Sequence, residues 1–172
     1  AGLSDAPVAL ARIAEAASPS AEARESTGDT GSGTVPPVEF VSRGDDSGTH
    51  RKEHSLWSAA DITPSGGWYM EVGQGMAEAL RMATEARAYT LSDRATYLAQ
   101  RNGLDLEVLV EGDERLFNQY GVIPVTGASH PEAARDFARW ITGTEAQALI
   151  GEYGTERFGR PLFVPNAGPC EV

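Results

Sequence analysis

Residues 38–60 read VEFVSRGDDSGTHRKEHSLWSAA and contain the pattern that decides the fold. The first four of these residues are mostly apolar and predict a short strand. Leu56 and Trp57 fall on the apolar side of a helix that begins near Thr49. The polar residues 42–48 between these two elements therefore form a strand-to-helix connection.

Two further strand-to-helix units follow the first. Their strands are predicted at residues 68–72 and 88–91, and their helices start at Met76 and Arg94. Strands and helices that alternate in this way are typical of an α/β fold with a mostly parallel sheet flanked by helices. Ligands of such folds usually bind at the edge of the sheet where the strands end and the helices begin.

The remaining segments carry weaker patterns. Ser4 or Asp5 can cap a first helix with Pro7 in its first turn. Residues 18–37 contain almost nothing apolar, which indicates a flexible insertion. The other predicted elements are strands at 106–110 and 121–125, a helix after 129–131 with Ala134, Phe137, Ala138 and Ile141 facing inward, and a capping box of Thr142 and Glu145 for the next helix.

Composition excludes several classes of function. The 172 residues carry a net charge of −11, and an acidic chain without a basic stripe repels phosphate backbones, so we expect no nucleic-acid partner. No apolar run approaches the ~18 residues of a membrane-spanning helix. Cys170 is the single cysteine, which excludes an intramolecular disulfide.

Residues 42–49 supply the groups that a small-anion site needs. Hydroxyls and a guanidinium donate hydrogen bonds, and the start of a helix adds backbone amides and the positive end of the helix dipole. A simple turn followed by a helix cap has a similar composition, so composition alone leaves both interpretations open. The candidate donors are Ser42, Arg43, Ser47, Gly48 and Thr49.

Longer strings around these residues are more specific. They are FVSRGDDSGTH at 40–50 with Glu53 and Trp57 after it, GQGM at 73–76, AYTLSDRATY at 88–97, LVEG at 109–112, NQYGV at 118–122 and PLF at 161–163. In these strings the chain resembles the tungstate-binding proteins of ABC importers, a family of type II periplasmic binding proteins. The resemblance covers nearly the whole chain apart from residues 18–37.

The resemblance implies a two-lobed protein that closes on tungstate or molybdate in the cleft between its lobes and delivers the anion to a membrane permease. Such a protein is not an enzyme, needs no cofactor, acts as a monomer and lies in the periplasm or at the cell surface. The residues that match the second-lobe half of the family's site are Ser42, Arg43, Ser47, Gly48 and Thr49. Arg94, which starts a helix beside the same cleft, either contacts the ligand or only holds helices together, and we include it among the candidates.

The resemblance also divides the chain into parts. Residues 1–17 end the first lobe, 18–37 are the flexible insertion, 38–116 form the second lobe with the anion-binding loop, and 117–172 cross over and complete the first lobe. The Thr- and Ser-rich first-lobe motif of the family has no counterpart before residue 42. We therefore expect half of the site to be missing from this chain and the chain alone to bind the anion weakly.

Two other functions compete with this interpretation. A phosphate- or sulfate-type site is the nearest, because Asp45 and Asp46 could accept the proton that a bound phosphate retains. The second is a zinc-dependent hydrolase, because His50, Glu53 and His54 spell the H-x-x-E-H motif. A catalytic zinc needs a third protein ligand, which no further helix of the sequence offers, so we expect no metal site.

Overall fold

The computed structural model describes residues 4–17 and 37–167. The chain divides into two compact units, Ala1–Asn118 and Gln119–Val172, here called unit 1 and unit 2. The predicted insertion at 18–37 falls almost wholly outside the described residues and stays a prediction. The elements of unit 1 are α1 (Ala6–Ala17), β1 (Phe40–Ser42), α2 (Gly48–Ala59), β2 (Tyr69–Glu71), α3 (Met76–Ala86), β3 (Tyr89–Thr90), α4 (Arg94–Gln100) and two short 3-10 helices, Arg101–Gly103 and Glu114–Leu116.

The three strands form one parallel sheet in the order β2-β1-β3. Phe40 of the central strand lies opposite Tyr69 on one side and Tyr89 on the other. Parallel neighbours need a crossover connection between them, and α2 and α3 provide it. All three strands therefore end at the same edge, and the predicted α/β fold with a parallel sheet flanked by helices is confirmed.

The two faces of the sheet are covered by different helices. Successive residues of a strand point to opposite faces, and Phe40 packs with Trp57 of α2, whereas Val41 packs with Leu80 of α3. Tyr97 of α4 packs on the same side as Leu80. The chain thus leaves β1 toward one face but leaves β2 and β3 toward the other, and open α/β sheets usually bind ligands at the strand ends where such a reversal occurs.

Short polar side chains mark the beginnings of three helices. Asp5 Oδ1 accepts the amide of Val8 at 3.0 Å, which confirms the predicted cap of α1. Ser47 caps α2 and Asp93 caps α4 by accepting amides three residues ahead. Each cap satisfies a backbone donor that has no partner inside its helix.

Unit 2 contains the helices α5 (Pro131–Thr142), α6 (Thr144–Glu152) and α7 (Thr155–Phe158). The helix predicted after residues 129–131 is confirmed, but Phe137 is 53% exposed rather than inward-facing. The predicted capping box is wrong, because Gly143 is the N-cap of α6 without a side-chain bond. Thr142 Oγ1 instead donates to the carbonyl of Ala138, one turn back, at 2.8 Å.

The strands predicted at 106–110 and 121–125 are also wrong. Residues 121–125 are irregular, and in the first segment Val110 makes only an isolated bridge. Both segments have the apolar composition of strands, but a strand also needs a neighbour to receive its backbone hydrogen bonds. Separately, no helix in the described ranges is long and apolar enough to cross a membrane.

Candidate anion-binding site

The loop of residues 43–47 follows the central strand and is fastened to the end of β2. The amide of Val72 donates to the carbonyl of Ser42 at 3.0 Å, and the amide of Gln74 donates to that of Arg43 at 3.3 Å. Gly44 has a φ of +60°, and a Cβ at this position would lie 2.7 Å from Glu71 Cβ. Only glycine lets the loop turn in the left-handed region this close to the strand.

Arg43 and Asp45 form an ion pair within the loop. Asp45 also accepts the amide of Ser47 at 3.2 Å. Burial alone would raise the pKa of Asp45, but hydrogen bonds from Ser47 and Arg43 outweigh it and lower that pKa. The Nε of Arg43 is buried and has no hydrogen-bond partner among the described residues, so the guanidinium keeps a donor to spare.

Asp46 is held in the loop by hydrogen bonds of its backbone amide and of its side-chain carboxylate. Its φ is +56°, a conformation that costs non-glycine residues energy. Arg51 donates from Nε and a terminal nitrogen to its carboxylate at 2.9 and 2.8 Å, and the Asp46 amide donates to His50 Nδ1 at 3.0 Å. The hydrogen bond and charge of Arg51 lower the pKa of Asp46.

The start of α2 gathers three of the predicted donors. Ser47 Oγ accepts the amide of His50 at 3.3 Å, and the Ser47 side chain also hydrogen-bonds to Asp45. Gly48 and Thr49 are the first helical residues, so their amides have no acceptor inside the helix. A Cβ at Gly48 would meet nothing within 4 Å, so no described atom crowds the backbone at this residue.

Ser42 lies behind the loop rather than on it. Its side chain is fully buried on the Phe40 face, next to Glu53 and Tyr69, and its Oγ makes no hydrogen bond of normal geometry among the described residues. Of the predicted donors, Ser42 is thus separated from the group at the start of α2.

Glu53 is a buried carboxyl that sequence reasoning treated only as part of a motif. It is 2% exposed and accepts hydrogen bonds from the Tyr69 hydroxyl at 2.7 Å and from Trp57 Nε1 at 3.2 Å. Burial raises the pKa of Glu53 against these hydrogen bonds. The sequence did carry a signal for this position, because Glu53 falls at helical spacing with Leu56 and Trp57 on the apolar side of α2.

Arg94 stands apart from the other candidates. It is the first residue of α4, at the same edge of the sheet, but its guanidinium lies 3.5 Å from Glu111 and its side chain is 42% exposed. The structure therefore gives it a partner outside the loop, and a role in anion binding stays a prediction.

The histidines of the H-x-x-E-H motif come together without its glutamate. The Nε2 atoms of His50 and His54 are 2.8 Å apart. Glu53 instead points into the aromatic core, where Trp57 and Tyr69 donate hydrogen bonds to its carboxylate. A hydrolase of the kind the motif suggests needs that glutamate as a base beside the metal, so the catalytic interpretation is not supported.

Comparison with known proteins places these features in a family. The model of the PBP superfamily domain matches residues 13–145. The chain is 53% identical over 132 residues to the tungstate-binding protein TupA of Peptoclostridium acidaminophilum, a match that covers 74% of this chain and 46% of that protein. The chain spans about half the length of the curated relatives it matches.

Two solved structures resemble the chain in fold as well as in sequence. The tungstate ABC transporter from Geobacter sulfurreducens is 38% identical with a TM-score of 0.55, over 67% of this chain and 51% of that one. The tungstate-binding protein TupA from Desulfovibrio alaskensis is 41% identical with a TM-score of 0.58, over 76% of this chain and 56% of that one.

Proposed function

This chain belongs to the PBP superfamily, and we propose that it captures tungstate or molybdate. It would do so as part of an extracytoplasmic solute-binding protein of an ABC importer. The observation that carries the proposal is the loop after β1, in which Arg43 keeps a buried donor without a partner among the described residues and the first amides of α2 have no acceptor inside the helix. Both groups suit a small anion. The tungstate-binding function named for the relatives supports the choice of ligand.

The proposed donors form a close group with two outlying members. Arg43, Ser47, Gly48 and Thr49 surround the start of α2 and would contact the anion directly. Ser42 would support the loop from behind or reach the anion after a change of rotamer. Arg94 would contact the anion only after exchanging its present partner, Glu111.

The state of the two loop aspartates favours a fully deprotonated anion. A phosphate that keeps a proton needs an acceptor, but Asp45 already accepts from Arg43 and Ser47, and Asp46 accepts from Arg51. Tungstate and molybdate are fully deprotonated at neutral pH and need donors only. The tungstate-binding function named for the relatives also favours these anions over a phosphate-type ligand.

The wider proposal follows the family's architecture. Residues 38–116 would form the second lobe, and residues 117–172 would belong to the first lobe, whose remaining donors would complete the site. The resemblance assigns residues 1–17 to the end of the first lobe, but α1 packs through Ala6 and Leu10 on the core of residues 38–116. The protein would act as a monomer outside the cytoplasm, hand its anion to a membrane permease and catalyse no reaction. With half of the donors, this chain would bind the anion weakly.

Titration of the ¹⁵N-labelled chain with sodium tungstate, followed by two-dimensional NMR, tests the proposal because the method detects weak binding residue by residue. We expect the amide signals of Gly48 and Thr49 to shift in a saturable way. Arg43→Gln should weaken binding by roughly tenfold or more, because a hydrogen bond to a charged group contributes about 1.5–3 kcal/mol.

Arg81→Gln is the matched control, because Arg81 is an exposed arginine of α3 that pairs with Glu78, and it should bind tungstate as the unaltered chain does. Sulfate and phosphate should produce smaller shifts at equal concentration. Unchanged binding in Arg43→Gln, or no shift at Gly48 and Thr49, would contradict the proposal.

A further inference from the structure

Three metal-type ligands lie together at the end of β2, and the proposed anion site does not use them. His50 and His54 are one turn apart on α2, and Glu71 is the last residue of β2. One ligand atom of each lies within 4.8 Å of the others. We propose that His50, His54 and Glu71 form a binding site for a divalent ion of the zinc type.

The donor set and its spacing fit such an ion. Two imidazoles and a carboxylate suit zinc and its neighbours better than magnesium or calcium, which prefer oxygen ligands alone. Zinc bonds of ~2.0–2.1 Å in a tetrahedron place ligand atoms roughly 3.3 Å apart. His50 Nε2 lies 3.5 Å from Glu71 Oε1 and 2.8 Å from His54 Nε2, so the histidine pair has to open by about half an ångström to reach the tetrahedral spacing.

The metal-free arrangement shows what the ion would replace. The Nε2 atoms of His50 and His54 are 2.8 Å apart, and two lone pairs at this distance would repel each other. One of the two nitrogens therefore carries a hydrogen that it donates to the other. His50 Nδ1 accepts the amide of Asp46, which places that proton on His50 Nε2. An ion bound there takes the place of the proton, His50 then carries its hydrogen on Nδ1, and the Asp46 amide loses its acceptor.

The surroundings of the three ligands suit a bound cation but provide no catalytic base for hydrolysis. Arg51, the nearest arginine along the helix, is neutralised by Asp46, and the Glu71 side chain is 55% exposed and accessible. The motif glutamate, Glu53, is occupied in the core. The third ligand, Glu71, comes from β2, so the spacing of residues along α2 could not reveal it. The site would therefore bind a metal without a catalytic base.

Isothermal titration of the untagged chain with zinc chloride, in a buffer without any oxyanion ligand, tests this site. We expect one zinc ion per chain, with His54→Ala and Glu71→Gln each binding at least tenfold more weakly, since even loss of an outer partner costs ~10–100-fold. His130→Ala is the matched control, because His130 is the third histidine of the chain and is exposed in unit 2. It should bind zinc as the unaltered chain does.

NMR of the same samples gives a second readout, since the Asp46 amide signal should move on zinc addition in the unaltered chain and stay in place in His54→Ala. No zinc binding, or equal binding in His54→Ala, would overturn the proposal. A loss in His54→Ala but not in Glu71→Gln would overturn the three-ligand assignment. Because no tungstate is present, these outcomes are independent of the proposed anion site.

Discussion

Unit 1 and unit 2 are built from similar amphipathic helices but bury them very differently. In unit 1, α2 and α3 cover the two faces of the sheet, and Trp57 and Leu80 are about 1% exposed. Ala146 is the single buried residue among the described residues of unit 2, and Trp140 is 48% exposed. An apolar helix face predicts a surface that is stabilised by packing against another element. Whether such an element covers it depends on the rest of the structure.

Replacing one tryptophan in each unit should give the largest contrast. Trp57→Ala removes a buried ring that packs against Phe40, Trp68 and Tyr69, and we expect a loss of about 3–5 kcal/mol in the free energy of unfolding. Trp140→Ala should cost about 1 kcal/mol or less, because the ring is already half in water. Urea unfolding followed by circular dichroism measures both, and an equal loss would mean that Trp140 is covered in solution.

Two glycines with positive φ, one in each unit, extend the comparison of unit 1 with unit 2 to the backbone. Gly44→Ala places a Cβ against Cα and Cβ of Glu71 in β2, whereas Gly154→Ala meets the side chain of Leu162 in unit 2. Both changes carry the left-handed penalty of about 1–2 kcal/mol. We expect Gly44→Ala to lose about 1–3 kcal/mol more, because the backbone of a strand gives way less than a side chain. Chemical unfolding of the two variants checks this, and a larger loss in Gly154→Ala would contradict it.

The smallest effect concerns pH. Burial raises the pKa of Glu53 in the folded chain, so the folded state binds its proton more tightly than the unfolded state does. The stability due to Glu53 is therefore full below the unfolded pKa of about 4.3 and declines as pH rises through the folded pKa. Glu53→Gln removes this titration, and the stability of the variant relative to the unaltered chain should increase with pH across that window.

Thermal unfolding of both proteins at a series of pH values measures the difference. Glu145→Gln, a substitution of an exposed glutamate in unit 2, is the control and should show no such trend. A difference between Glu53→Gln and the unaltered chain that is constant with pH would mean that Glu53 keeps an ordinary pKa.

Local patterns predicted the parts of the fold that depend on local interactions. The three strand-to-helix units and the cap at Asp5 are set by neighbouring residues, and the structure confirms them. The strands predicted at 106–110 and 121–125 failed, because a strand is completed by a partner that may lie anywhere in the chain.

The candidate site divides in the same way. The sequence indicated that residues 47–49 lie together, because they are consecutive at a helix start. It did not indicate that Arg43 pairs with Asp45, that Glu53 is buried behind Ser42, or that Glu71 meets the histidines. These contacts depend on side-chain rotamers and on the register between β1 and β2, which no spacing along the chain encodes.

The paired charges of the loop have a consequence for how fast an anion arrives. Arg43 is neutralised by Asp45 and Arg51 by Asp46, so the loop exerts little net attraction at a distance, while the chain as a whole carries −11. A dianion therefore approaches against a long-range repulsion that salt screens, over about 8 Å at 0.15 M. Stopped-flow measurements at low and moderate salt should show association accelerating as salt is added, the reverse of electrostatic steering.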